Sequence, residues 1–196
     1  MVTTKARLQK LAGIINESTN ESLQEMLNEQ ARVFDDSAKE LIFEVPAWLR
    51  AIHLWFHSAH HVTRGPNFAG DHVELYGRIY EEVQAEVDGV IEKAVGVTGG
   101  QDMACPMCLT KHAMKIMERY HSPVELKSSD IAKEGLRMIE DYLIFLNRTF
   151  KELDAKGMLS LGMNDQWAAS ANTHETYAYL LGQRVRAPND TVQKMM

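Results

Sequence analysis

The segment DHVELYGRIYEEVQAEVDGVIEKAV, residues 71–95, decides the fold class of this chain. Leu75, Ile79, Val83, Val87, Val90, Ile91 and Ala94 recur every three or four residues, with acids opposite. That spacing is the signature of one long amphipathic helix. Gly96 and the Gly99-Gly100 pair supply its stop. Upstream, AWLRAIHLWFHSAHH at 47–61 reads as a second helix, ended by the turn signal Arg64-Gly65-Pro66-Asn67. Pro46 is expected to end the region before it or kink whatever follows. Downstream, a shorter helix is expected over Met103–Tyr120, with Pro106 tolerated near its start. Ser129 and Asp130 open a further long helix to about Leu153, carrying Ile131, Leu136, Ile139, Leu143, Leu146 and Phe150. A link after Lys156-Gly157 leads to Asp165, where a last helix runs to about Arg186. Four long helices, with one short helix between the second and third, predict an all-α four-helix bundle with a crossover.

The remaining chain divides around this bundle. Residues 1–36 read as a basic tail followed by an extension helix over Glu21–Phe34, capped by Thr19 or Asn20. The bundle spans 37–187, and 188–196 form a C-terminal tail. With 196 residues, a formal charge of −6 and 45% hydrophobic content, composition excludes disordered, collagen-like and strongly basic chains. No apolar run reaches membrane-spanning length, and MVTTKARLQK lacks a signal-peptide apolar core. Two cysteines make no disulfide framework, so a reducing, cytoplasmic setting is expected.

The eight histidines are clustered. His53, His57, His60 and His61 share one helix, and His72 opens the next. On that next helix Asp88 and Glu92 lie four apart, with Asp88 read as sitting between Val87 and Val90 on the apolar side. His72 and Asp88 are 16 residues apart, roughly 24 Å along a straight helix. Ligands of one metal lie within a few ångströms of each other, so the two sets cannot share an ion inside one subunit. Across a two-fold axis, His60 and His72 of one chain can meet Asp88 and Glu92 of another, giving two sites per dimer. Mixed imidazole and carboxylate ligation suits iron as Fe(II).

With these residues the chain resembles the Dps family of mini-ferritins. HHVTRGPNFAGDH at 60–72 carries the likeness, with DGVIEK at 88–93 and the glycines at 96–100. His60, Gly65, Asn67, Phe68, His72, Asp88 and Glu92 match the family pattern in order, and HETYAYLLGQR at 174–184 resembles the family's last helix. The resemblance implies a ferritin-like bundle, a homo-oligomeric shell of twelve subunits and ferroxidase sites at a dimer interface. It implies catalytic and metal-binding roles for His60, His72, Asp88 and Glu92, with iron oxidised by peroxide or O₂ and stored as mineral. Three positions depart from the pattern. His61 stands where an aromatic is usual, Tyr76 where an acid is frequent, and the interval from His72 to Asp88 is one residue longer. A π-bulge in the second helix would absorb that residue.

Other motifs are less specific. Cys105-Pro106-Met107-Cys108 is a C-x-x-C for which a packed reduced pair, a metal site and a redox dithiol all stay open. Met103, Met107, Met114 and Met117 read as packing residues. Trp55, Trp167, Tyr76, Tyr80 and Tyr177 read as core. Glu118 and His121 have the E-x-x-H spacing of di-iron bundles, but no second copy exists. Basic residues at both ends raise a DNA-binding, compacting role, set against the acidic body.

Overall fold

The computed structural model describes residues 34–186; the expected extension helix and the C-terminal tail lie outside the described residues. The described residues form five α-helices: α1 (Asp36–Val62), α2 (Arg78–Thr98), α3 (Pro106–Met117), α4 (Ser128–Ala155) and α5 (Leu161–Val185). A π-helical segment, Gly70–Gly77, runs directly into α2. α1 packs against α2, α3 and α4, while α5 packs on α4 and touches α2. This is the all-α four-helix bundle with a short crossover helix that the apolar periodicity predicts.

Boundaries follow local chemistry. Asp35 caps α1 by accepting the Ala38 N–H at 2.7 Å. Its carboxylate also takes Lys156 Nζ at 2.9 Å, tying the start of α1 to the residue after α4. Gly99, at φ 67°, ends α2 in a left-handed cap that a side chain would strain. Gly96 does not stop the helix. Ser160 caps α5 through the Met163 N–H, so α5 starts four residues before Asp165.

Pro46 corrects the sequence reading. It lies inside α1 rather than ending a helix, although proline there removes one backbone bond and costs about 3 kcal/mol. Packing outweighs that cost. Ile42, Phe43, Val45, Ala47, Trp48 and Leu49, on either side of Pro46, are all buried, and each large side chain contributes roughly 1.5–3 kcal/mol.

The core is aromatic where α1 meets α4. Trp48 stacks on Phe145 with centroids 5.6 Å apart and lies 6.0 Å from Tyr142. Trp55 donates from Nε1 to the His121 carbonyl at 3.0 Å, which anchors the crossover to α1. Gly135 permits this approach: a methyl there would sit 2.9 Å from Phe56 and 3.1 Å from Trp55. Gly135→Ala is therefore expected to destabilise by about 1–3 kcal/mol through overpacking, against about 1 kcal/mol of gained helix propensity. Chemical denaturation of the two proteins checks the sign.

Candidate functional site

The π winding expected in the second helical run is present at its start. Residues 70–77 wind with π geometry, and the helix becomes α again from Arg78. This segment faces the end of α1, and the two are joined by their histidines. His60 Nδ1 lies 2.6 Å from the His72 carbonyl, and His72 Nδ1 lies 2.8 Å from the His60 carbonyl. A carbonyl only accepts, so both Nδ1 atoms donate. Each neutral ring then carries its free lone pair on Nε2, the arrangement in which a histidine is oriented for a metal by its backbone partner. The rings stack with centroids 3.7 Å apart and planes 16° off parallel, and Phe68 stacks on His72 at 4.8 Å.

Gly77 makes room for this clamp. A methyl there would lie 2.6 Å from the His72 carbonyl oxygen and 3.2 Å from His60 Nδ1. Behind the clamp, Arg184 of α5 makes a bidentate pair with buried Asp71 at 2.8 and 3.0 Å. That pairing spends Arg184 on the fold and removes it from the basic residues counted toward DNA.

The histidine stripe continues along α1. His57 and His61 share a hydrogen bond of 3.1 Å between their Nε2 atoms, and His53 stacks 6.0 Å from His57. Burial and the Arg50 charge hold His53 below the usual histidine range. Tyr80, read from sequence as core, is half-buried and packs against His53, His57 and His60, with centroids between 4.8 and 6.2 Å. Its spacing of eight from His72 was the signal available for placing it on this face. Tyr76 instead is fully buried, its hydroxyl has no partner, and burial raises its pKa.

Asp88 and Glu92 project from α2 and are exposed. Asp88 thus does not lie on the apolar side as the sequence reading had it. Successive side chains turn by about 100°, so a residue directly after buried Val87 leaves the stripe. Asp88 lines a groove with Arg50, Glu81, Gln84 and Ile91. Within one chain the histidine pair and the acid pair stay apart, and among the described residues no three His, Cys, Asp or Glu side chains converge as a metal site. Glu118 and His121 are both exposed, His121 taking Glu134 at 3.3 Å, so this E-x-x-H does not face the bundle interior. Met107 and Met114 are exposed as well, whereas Met103 is buried.

A second polar group, missed by the sequence reading, lies on the seam between α2, α4 and α5. His174 is completely buried and donates from Nδ1 to the Ser170 carbonyl at 2.9 Å. The Tyr142 hydroxyl bonds the Ser170 hydroxyl at 2.7 Å, and Glu86 Oε2 lies 3.8 Å from His174 Nδ1. Glu86 Oε1 and His174 Nε2 have no partner. Burial pushes the Glu86 carboxyl up to about 7 and the His174 ring down to about 4, so near pH 6 both are mainly neutral.

No protein-family model matches the chain, and no curated protein matches it. Among solved structures, Dps of Mycobacterium smegmatis in a tetragonal crystal form is similar, at 17% identity and a TM-score of 0.63. The similarity covers 83% of this chain and 97% of that one. The class of fold is therefore ferritin-like. In particular, it is the fold of Dps. No helix among the described residues is long and apolar enough to cross a membrane.

Two outcomes follow from this geometry. Gly77→Ala is expected to cost roughly 1–3 kcal/mol by forcing the clamp apart, while Gly70→Ala, with open space around it, is expected to be neutral or stabilising. Denaturant titration of both variants checks this. The second outcome is a pH dependence from the buried pair. Glu86 has a raised pKa, so its contribution is full below the model-compound value of 4.5 and is lost as pH rises to about 7. His174 has a depressed pKa, so its contribution is full above 6.5 and is lost as pH falls to about 4. Between 4.5 and 6.5 the slopes oppose. Glu86→Gln should leave stability near wild type at pH 4.5 and exceed it by roughly 3 kcal/mol at pH 8, measured by unfolding at each pH.

Proposed function

We propose that this protein is an iron-sequestering ferroxidase of the Dps type, oxidising Fe(II) at sites shared between two subunits. The observation that carries the reading is the His60–His72 clamp, which commits both Nδ1 atoms and leaves both Nε2 atoms free. The exposed carboxylates Asp88 and Glu92, farther along the same helical run, supply the hard oxygen ligands that favour Fe(III) over Fe(II). In the paired arrangement His60 and His72 come from one subunit and Asp88 and Glu92 from the other. With peroxide, two Fe(II) ions give one electron each, H₂O₂ takes two protons, and two Fe(III) and two waters result; O₂ is the alternative oxidant. The ferric product would pass into the interior of a closed homo-oligomer, proposed as a dodecamer, in the cytoplasm. Iron here is substrate and cargo.

A DNA-compacting role is not favoured, because Arg184 is held by Asp71 and the net charge is −6. A bundle-internal di-iron centre is not favoured either. Glu86 and His174 are the only acid and histidine joined in the seam by a described contact, whereas such centres use four glutamates and two histidines.

His60→Ala and Asp88→Ala are each expected to abolish rapid Fe(II) oxidation, read as the growth of ferric absorbance. Mixing the two inactive proteins with subunit exchange should restore about a quarter of wild-type activity. Half of the dimers are then mixed, and each mixed dimer has one intact site of two. No recovery, with exchange confirmed by mass, would discard the shared site.

A further inference from the structure

Cys105 and Cys108 stand at the N-terminus of α3, away from the histidine clamp, and no part of the iron chemistry uses them. They are the only cysteines in the chain. Cys105 is half-buried and Cys108 exposed, so the pair is not the packed, reduced one that a core role requires. Nor does it have the surroundings of a zinc site, which closes with four Cys or His ligands; among the described residues no third ligand joins them.

What the two residues do have is each other. Their sulfurs lie 2.7 Å apart, in direct contact, and the first turn of α3 holds them at that separation. Cys105 is also the N-cap of the helix: its sulfur accepts the Cys108 backbone N–H at 3.3 Å. A sulfur in that position feels the positive end of the helix dipole and a fixed donor, both of which favour thiolate over thiol. Pro106, at the first helical position, presets the turn without wasting a backbone donor. Lys111, one turn beyond Cys108, adds a positive charge. The asymmetry is consistent: the bonds from Cys108 draw Cys105 below the usual thiol range, while the same contact raises Cys108.

We propose that Cys105 and Cys108 form a reversible dithiol–disulfide couple that exchanges with small-molecule disulfides, Cys105 attacking and Cys108 resolving. The Cys105 thiol loses its proton to solvent, and the thiolate attacks one sulfur of the small disulfide. The small disulfide's S–S bond breaks, one small thiolate leaves, and Cys105 carries a mixed disulfide. Cys108 then loses its proton and attacks the Cys105 sulfur, forming the Cys105–Cys108 bond and expelling the second small thiolate. The protein gives up two electrons and two protons; the small disulfide takes the two electrons as two thiolates. Because the second step is intramolecular between sulfurs already in contact, it outruns attack by a second small disulfide.

The test uses the full-length protein and the aromatic disulfide dithiobis(nitrobenzoate), with released thiolate followed by absorbance and the protein by intact mass. The wild type is expected to release two thiolates per chain and to end two hydrogens lighter, with no adduct. Cys108→Ser should release one thiolate and retain one adduct. Cys105→Ser should also release one, at least tenfold more slowly. Two retained adducts on the wild type, a disulfide formed only between chains, or equal rates for the two variants would overturn the proposal. The wild-type mass alone decides the matter if either variant fails to fold.

Discussion

The reciprocal hydrogen bonds between His60 and His72 are the constraint on which the chemistry-bearing corner of the molecule depends. Each ring reaches across to the other residue's carbonyl, so the end of α1 and the start of the next helical run are locked as one unit. The π winding of residues 70–77 carries His72 and leads into the helix that bears Asp88 and Glu92. Unlike an α-turn, a π-turn bonds i to i+5 and so takes up one more residue. Gly77 lies against the clamp, and no larger residue fits there without moving the His72 carbonyl. Phe68 covers one ring face, which fixes the loop over the clamp.

Behind the clamp the fold commits charge to its interior, and then avoids charge one step further in. Asp71 and Arg184 are matched in a bidentate pair, with Asp71 buried and Arg184 reaching solvent. Such a pair offsets desolvation only when geometry is good, and its main effect is to specify which end of α5 meets which end of the π segment. Farther along α2, Glu86 and His174 solve the same problem by the opposite means. With 3.8 Å between them and no full set of partners, they stay uncharged near pH 6 rather than form an ion pair. The hydroxyls of Tyr142 and Ser170 bond each other on the same seam, so polar groups of α2, α4 and α5 collect in a bundle that is otherwise apolar and aromatic. These are registry devices as much as stabilising ones.

Legibility in the sequence tracks period. Helices whose apolar residues recur every three or four were readable, and so was the glycine that ends α2. The two histidines flanking a turn and the bulge in the second helix were readable, but the bonds from each ring to the other residue's carbonyl were not. What the sequence hid has two physical sources. Pro46 was misjudged because a local penalty was set against no tertiary term, and burial of its neighbours decides that contest. Glu86, His174 and Asp71 were invisible because their residue types read as surface, while neutralisation or pairing lets them be buried. Asp88 failed in the reverse direction. Its neighbours are apolar in the chain, but on a helix adjacency in sequence is a turn of the wheel, and the side chain faces outward.

The outward turn of Asp88 strengthens the case for a shared site. A buried carboxylate on the apolar stripe would have needed a partner within its own bundle. An exposed pair at 88 and 92 instead places two negative charges about one helical turn apart on a single face. Two carboxylates at that spacing repel each other, and a cation held between them would relieve the repulsion. In the proposed site the Nε2 atoms of His60 and His72 would face the cation, because their Nδ1 protons are already bonded to carbonyls. Each half would be an incomplete ligand set in that site, the histidines at the start of the helical run and the acids farther along it. A two-fold axis perpendicular to that run, midway between the halves, would bring each half of one chain against the missing half of its partner. The same rotation would make both sites at once, which is why the proposed function needs a dimer as its smallest working unit.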